Sequence, residues 1–238
     1  AGLEMHTAAA EVGQGMVTIL QQIARSATGI EQVEVVFDHT GQIGSAGSTS
    51  ASRQTQMAGG ACLEACLGLR DQVLERGGGD RLDDAGVWRG EELVASLEDL
   101  LAAGPLEHHT RFRHAPTEEP NATGQGDLHA GFCVAAHRAV VDVDPELGLV
   151  RVVRVDTAQD VGRALNPMSV LGQIEGGILQ GVGLAIMEEL LVAQGVVRNA
   201  SFTDYLIPTI LDAPDVEAVI IEEPEPGVPQ GYTGWYHT

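Results

Sequence analysis

An α+β fold of two related lobes is predicted for this 238-residue chain, and three observations predict it. Helix-period and strand-period stretches alternate along the sequence. A polar stretch from Gly104 to Asp127, carrying Pro105, Pro116 and Pro120, divides them into two groups. Each group also holds a Gly-Gln pair that reads as leading into a helix with a second glutamine: Gly13-Gln14-Gly15 before Gln21, and Gly172-Gln173 before Gln180. An old duplication and coincidence would both produce that echo. Composition agrees, since 44% apolar residues, 30 glycines and only 4% aromatics describe a Gly- and Ala-rich protein with ample core. The expected division is a first lobe at 1–103, a connecting loop at 104–131 and a second lobe at 132–238.

The elements follow in order. An apolar stretch runs through Glu11-Val12-Gly13-Gln14-Gly15-Met16 into a helical pattern, Thr18 to Ala24. Valine-rich Gln32 to Phe37 reads as a strand, and Ala61 to Leu74 as a helix. Gly77 to Gly90 is a Gly- and Asp-rich connection, and Glu91 to Ala103 a short acidic helix. Phe132 to Val143 and Leu149 to Asp156 alternate around the turn Asp144-Pro145-Glu146-Leu147-Gly148, which predicts a hairpin. A helix from Ile174 to Leu191 contains Gly176, Gly177, Gly181 and Gly183. Interior glycines cost about 1 kcal/mol each relative to alanine, which close approach of a helix or ligand offsets. Helix packing is the main expectation for Gly181 and Gly183.

Charge and composition narrow the function. Thirteen basic against 34 acidic residues give −21, with no basic cluster, so no nucleic acid partner is expected. An anionic ligand would be held locally, by backbone amides and helix ends. The longest apolar runs are broken by glycine or charge and no signal peptide is visible, so no membrane and a cytoplasmic location are expected. Cys62 and Cys66 lie one helical turn apart and read as small core residues; with Cys133 they make no iron–sulfur site. His108, His109 and His114 read as a solvated loop cluster. Gly13-Gln14-Gly15 lacks the third glycine of a dinucleotide fingerprint.

Four stretches carry chemistry. In the first, Gly13 and Gly15 let backbone pass close to a bound group, Gln14 offers two donors and an acceptor, and the helix that follows favours an anion. The second is Gly47-Ser48-Thr49-Ser50-Ala51-Ser52-Arg53-Gln54-Thr55 ahead of a helix. Hydroxyls, amides and one arginine suit phosphate oxygens, and a capping loop has the same composition. The third comprises Asp160-Val161-Gly162-Arg163-Ala164-Leu165-Asn166-Pro167, Gly172-Gln173-Ile174-Glu175-Gly176-Gly177 and Gln180-Gly181-Val182-Gly183. The fourth is Asn199-Ala200-Ser201-Phe202-Thr203-Asp204-Tyr205-Leu206-Ile207-Pro208.

In this order and spacing, these stretches resemble the molybdenum-binding subunit of the xanthine dehydrogenase and aldehyde oxidase family, in its C-terminal cofactor-binding part. The resemblance covers nearly all of the chain. It implies a molybdopterin-binding domain with the cofactor between two lobes. Gln14 would lie against the pterin or an oxo ligand, flanked by Gly13 and Gly15. Ala51 would sit beside molybdenum, leaving room for substrate, and neither Gln14 nor Ala51 would ligate the metal. Thr49, Ser50, Ser52 and Arg53 would contact the cofactor's phosphate or its cytosine dinucleotide extension, and Gln173 would reach the pterin from the second lobe.

The implied activity is that of a molybdenum hydroxylase, oxidising an N-heterocycle or aldehyde with water as the oxygen source. Implied partners are the N-terminal half of the molybdenum subunit, which the chain is expected to lack, and domains or subunits bearing iron–sulfur clusters and FAD. A homo-oligomer of the full enzyme is a further family expectation. The family's base is a glutamate closing a Gly-Ala-Lys-Gly-Val-Gly-Glu segment. Here the corresponding stretch reads Gln230-Gly231-Tyr232-Thr233-Gly234-Trp235-Tyr236-His237, which puts His237 at the base position. A frame-shifted or otherwise altered tail is expected to account for this divergence better than a histidine base, so no catalytic residue is assigned. The alternative readings are a catalytically incomplete module that holds the cofactor, and a purely structural fragment.

Overall fold

The computed structural model describes residues 2–37, 39–44, 47–129 and 132–224, with the backbone alone for Thr40, Ala51 and Ser52. Strand β1 (Leu3–Thr7) pairs in parallel with β2 (Val33–Phe37), joined through helix α1 (Met16–Thr28). Helical spacing puts Met16, Ile19, Leu20, Ile23, Ala24 and Ala27 on the buried face of α1. The helix stops at Gly29, whose φ of 79° is left-handed and whose N–H bonds to Arg25 O. The Gln21 amide then fastens α1 to Val33 O of β2 at 3.0 Å.

After the short turn α2 (Thr40–Ile43) comes the long helix α3 (Ala51–Gly77), packed on α1. Cys62 and Cys66 are buried in this core, as expected. Glycines let neighbours approach α3 closely. A Cβ on Gly59 would stand 3.0 Å from Ile23 Cδ1, and on Gly60 it would meet the Phe112 ring at 2.9 Å. On Gly68 it would meet the His108 ring at 2.3 Å. The segment from Pro105 to Phe112 is therefore a strap across α3, bonded by His108 Nδ1 to Gln72 Nε2 (3.0 Å) and by the Thr110 hydroxyl to Glu64 Oε2 (3.0 Å).

In sequence between α3 and the strap come an antiparallel meander of β3 (Arg81–Asp83), β4 (Gly86–Arg89) and β5 (Glu92–Ser96), and then α4 (Leu97–Leu101). This corrects two expectations. The stretch 77–90 is not a bare connection, because Asp83 Oδ1 accepts from the N–H groups of Ala85 and Gly86 and from Trp88 Nε1, which closes a tight β3–β4 turn. The stretch 91–103 is strand first and helix second: Ser96 caps α4 by accepting from Asp99 N at 3.1 Å. The predicted helix at 61–74 also proves longer, beginning inside the hydroxyl-rich loop.

The remaining residues form a three-stranded sheet in the order β10-β7-β6. The hairpin of β6 (Ala135–Asp144) and β7 (Leu149–Asp160) is as predicted, and β10 (Asp215–Ile221) lies parallel to β7. Helix α5 (Pro167–Ile186) and the small hairpin of β8 (Val192–Ala193) and β9 (Val196–Val197) intervene. Helix α5 starts seven residues earlier than predicted, because Asn166 caps it and Pro167 opens it. Gly172 and Gln173 are consequently inside the helix instead of leading into it, and the sequence echo fails as a structural one. What does recur is the strand–helix–parallel strand arrangement, β1-α1-β2 and β7-α5-β10, within an α+β fold. With a mean hydropathy of 1.2, α5 is also long and apolar enough to cross a membrane, the one such helix among the described residues. Its Val170 and Ile174 are nonetheless core residues beneath the sheet.

Candidate cofactor site

The loop before α1 is built around one carboxylate. Glu11 accepts hydrogen bonds from Gly13 N (2.8 Å), Gly15 N (3.2 Å) and Val17 N (3.0 Å). Partial burial pushes its pKa up, but the N–H groups of Val17, Gly13, Gly15 and Met16 together outweigh that and hold it below the ordinary value. The anion at the α1 N-terminus is thus supplied by the chain itself, a role expected from sequence to fall to a ligand. Its signal was present, a glutamate just upstream of a Gly-x-Gly turn.

Gln14 is buried, and its amide braces the same loop: Nε2 donates to Ala10 O at 2.9 Å, and Oε1 accepts from Val12 N at 2.6 Å. One donor hydrogen and one acceptor lone pair remain. Gly13 and Gly15 take left-handed φ values of 98° and 84°, and a Cβ on either would meet nothing within 4 Å. The turn requires glycine there, and the loop surface around it is open.

The hydroxyl-rich loop lies against this one. Thr49 Oγ1 accepts from Ala10 N at 3.2 Å, so two stretches 39 residues apart in sequence become neighbours. Arg53 folds back onto its own loop, with Nη1 on Ser48 O at 3.2 Å, beside Gly47. Ser50 occupies the N-cap of α3, but its side chain makes no capping bond. Two residues at the end of the same stretch, to which the sequence reading gave no role of their own, stand next to it. Gln54 and Thr55 are 1% and 4% exposed, and Gln54 Oε1 and Thr55 Oγ1 have no hydrogen-bond partner among the described residues. Polarity at a helix start is ordinary in sequence; only the burial makes them notable. The backbone of Ala51 and Ser52 forms the first turn of α3.

Gln173 is exposed on the second turn of α5 and makes no hydrogen bond to Gln14 or to the 47–53 loop among the described residues. Its helix joins the first region elsewhere: Asn166 Nδ2 reaches Gln22 Oε1 of α1 at 3.5 Å, and Leu165 packs on the α1–α3 core. Around Gln173, a Cβ on Gly172, Gly176, Gly177 or Gly181 would meet nothing within 4 Å among the described residues. Helix packing was the expectation for Gly181, and the structure leaves it open. Gly183 alone is crowded, by Pro208 and Glu188. His237, with the rest of 225–238, lies outside the described residues. No group of three or more His, Cys, Asp or Glu among the described residues could hold a metal ion.

Comparison with known proteins gives this geometry a family. Residues 2–214 match the molybdopterin cofactor-binding domain. The chain is 30% identical, over 96% of its length, to the gamma subunit of the 6-hydroxypseudooxynicotine dehydrogenase complex of Paenarthrobacter nicotinovorans. It is 28% identical, over 90% of its length, to a probable xanthine dehydrogenase subunit of Bacillus subtilis. It spans 30% of the length of each. Among solved structures, quinoline 2-oxidoreductase from Pseudomonas putida 86 superposes with a TM-score of 0.78 at 28% identity, over 97% of this chain and 31% of that one. The aldehyde oxidoreductase of Desulfovibrio gigas gives 0.80 at 25% identity, over 98% and 25%. The chain belongs to the molybdopterin cofactor-binding domain family, that of the xanthine dehydrogenase and aldehyde oxidase type of oxidoreductase.

Proposed function

We propose that this domain holds molybdopterin between the paired loops at 10–15 and 47–53 and the glycine face of α5, as one part of a molybdenum hydroxylase. The observation that carries the reading is the junction Thr49–Ala10, which makes one open, hydroxyl- and amide-rich surface of two distant motifs. The residues suit the group. Gly13 and Gly15 leave the backbone bare, Gln14 keeps one donor and one acceptor, and the Ser50 hydroxyl is uncommitted as a cap. Thr49, Ser52 and Arg53 would take the phosphate or its cytosine dinucleotide extension, Ala51 would leave space beside the metal, and Gln173 would bond the pterin from the second lobe. When bound, the group supplies a metal centre that accepts electrons as oxygen from water is placed on a carbon beside nitrogen or on an aldehyde carbon.

Gln54 and Thr55 add an energetic argument. A buried polar atom without a partner costs about 1–3 kcal/mol, so a loop that rearranges to let these oxygens bond to a guest regains that amount. Cofactor binding should accordingly stabilise the domain. The boundaries 1–103, 104–131 and 132–238, a cytoplasmic location, and partners bearing the subunit's other half, the iron–sulfur clusters and FAD belong to the same proposal. Without an assigned base, the domain alone binds and orients without turning over.

The test is molybdenum and released pterin per chain after expression in a host that makes the cofactor. The expected result is stoichiometric retention by the wild type and loss in Gly15→Val, which fills the open backbone. Wild-type protein free of both would overturn the reading for this domain alone.

A further inference from the structure

The loops that lead into α1 and α3 join at the Thr49–Ala10 contact. A helix start carries unpaired N–H groups and a partial positive charge, so each of the two would by itself draw an anion. The chain treats them in opposite ways. At α1, Glu11 reaches up to six residues forward and commits both carboxylate oxygens: Oε1 accepts from Gly13 N and Gly15 N, and Oε2 from Val17 N. With Gly13 and Gly15 left-handed, these N–H groups converge on one carboxylate, a concavity of the kind in which loops hold anions.

At α3 nothing comparable is present among the described residues. Ser50 makes no capping bond with its side chain, and Arg53 stands in the first turn. No Asp or Glu occurs from His39 to Leu63, although the chain has 34 acidic residues. One helix start is therefore filled by the chain's own negative charge, and the other is kept clear of it.

That difference selects between ligand groups. A phosphate approaching α1 would have to strip three hydrogen bonds from Glu11 and then share the concavity with its carboxylate. Juxtaposed like charges are a strong means by which a site rejects a ligand. What the first loop leaves uncommitted is neutral: the open faces of Gly13 and Gly15, and one donor hydrogen and one acceptor lone pair on Gln14.

We propose that Glu11 is a specificity-determining residue, which closes the α1 start to outside anions and so fixes which end of the cofactor each loop receives. The uncharged pterin is admitted at 10–15, and the phosphate is turned toward 47–53. The ligand's identity rests on the cofactor reading. The closure of α1 is a property of the chain alone and is read out with inorganic phosphate, without molybdenum.

Phosphate is titrated onto the purified chain at neutral pH, and the backbone amide signals of Gly13, Gly15 and Val17 are followed by NMR. In the wild type these three should show no saturable movement. In Glu11→Ala, which vacates the concavity, all three should shift together, with phosphate bound about tenfold or more tighter than by the wild type. Glu11→Gln keeps the side chain's shape without its charge, and the same amides should respond at higher phosphate concentration than in the alanine variant. If circular dichroism shows the alanine variant unfolded, Glu11→Gln decides alone. Saturable movement of the three amides in the wild type would overturn the proposal, as would their stillness in either folded variant. Amides of Thr49 to Arg53 are read in the same titration. Their failure to respond in every protein would count against the cofactor reading and not against the closure of α1.

Discussion

Residues 2–101 and residues 132–224 use the same strand–helix–strand arrangement and bury it very differently. In the first region, among the described residues, twelve buried residues make the α1–α3 core and six more the core under the meander. In the second, among the described residues, the buried cluster is Val161, Val170 and Ile174, with Val155 and Val182 buried outside it. All ten residues of β6 are exposed, and Val141, Val143, Leu147 and Leu149 are open to solvent. The glycines differ in the same sense. Those of α3 are filled by Ile23, Phe112 and His108, whereas a Cβ on Gly172, Gly176, Gly177 or Gly181 of α5 would meet nothing within 4 Å among the described residues. The first region buries the larger apolar core, and the second leaves more of its apolar side chains and the α5 glycines exposed among the described residues.

The strongest way to break this comparison is truncation in the core. Leu20→Ala, at a position 1% exposed, should cost about 2–5 kcal/mol in urea unfolding. Val143→Ala, on the open hairpin, should fall within about 0.5 kcal/mol of wild type. Equal losses would mean that the hairpin is as well packed as α1.

Glu11→Gln comes next, at about 1 kcal/mol near neutral pH, from weakened bonds to three backbone N–H groups. Because the folded pKa is held below the ordinary value of 4.5, the carboxylate's contribution is fully present above that value. It disappears as pH falls through the lower, folded pKa. Wild-type stability should therefore drop across that acid window relative to the glutamine variant, which pH-dependent urea midpoints check.

Several elements of both regions were legible in the sequence, and the reasons are local. The apolar spacing of α1, the valines of β2 and the turn at Asp144 to Gly148 each act within a few residues. The β3–β4 turn was not legible, because it hangs on an aspartate that gathers two amides and an indole, a pattern that reads as loop composition. The early start of α5 was missed because its glycines mask the helical period; Asn166-Pro167 carried the signal. In the candidate site, the two motifs could be found by residue type. Their junction through Thr49 and Ala10, and the capture of the α1 terminus by Glu11, arise only when the chain folds.

The glycine contrast yields the smaller effects. Gly176→Ala and Gly177→Ala should each stabilise the isolated domain by about 0.5–1 kcal/mol, since the helix gains propensity and the added methyl meets nothing. Both should lower pterin content in the loading assay if this face cradles the cofactor. Gly68→Ala should be near neutral in stability. The same helix gain of about 1 kcal/mol is offset by displacing His108 from Gln72. Its signature is faster cleavage of the 105–112 strap in limited proteolysis.

Hydrogen exchange on the chain with and without molybdopterin tests the central claim most directly, because it reads both regions and the site at once. Without cofactor, amides of α1 and α3 should be the slowest, and those of β6 and α5 fast. With cofactor, exchange should slow together at 10–17, 47–55 and 172–181, three stretches that meet only if the loops and the glycine face of α5 hold one ligand. Protection confined to the first two stretches, or appearing elsewhere, would contradict the account.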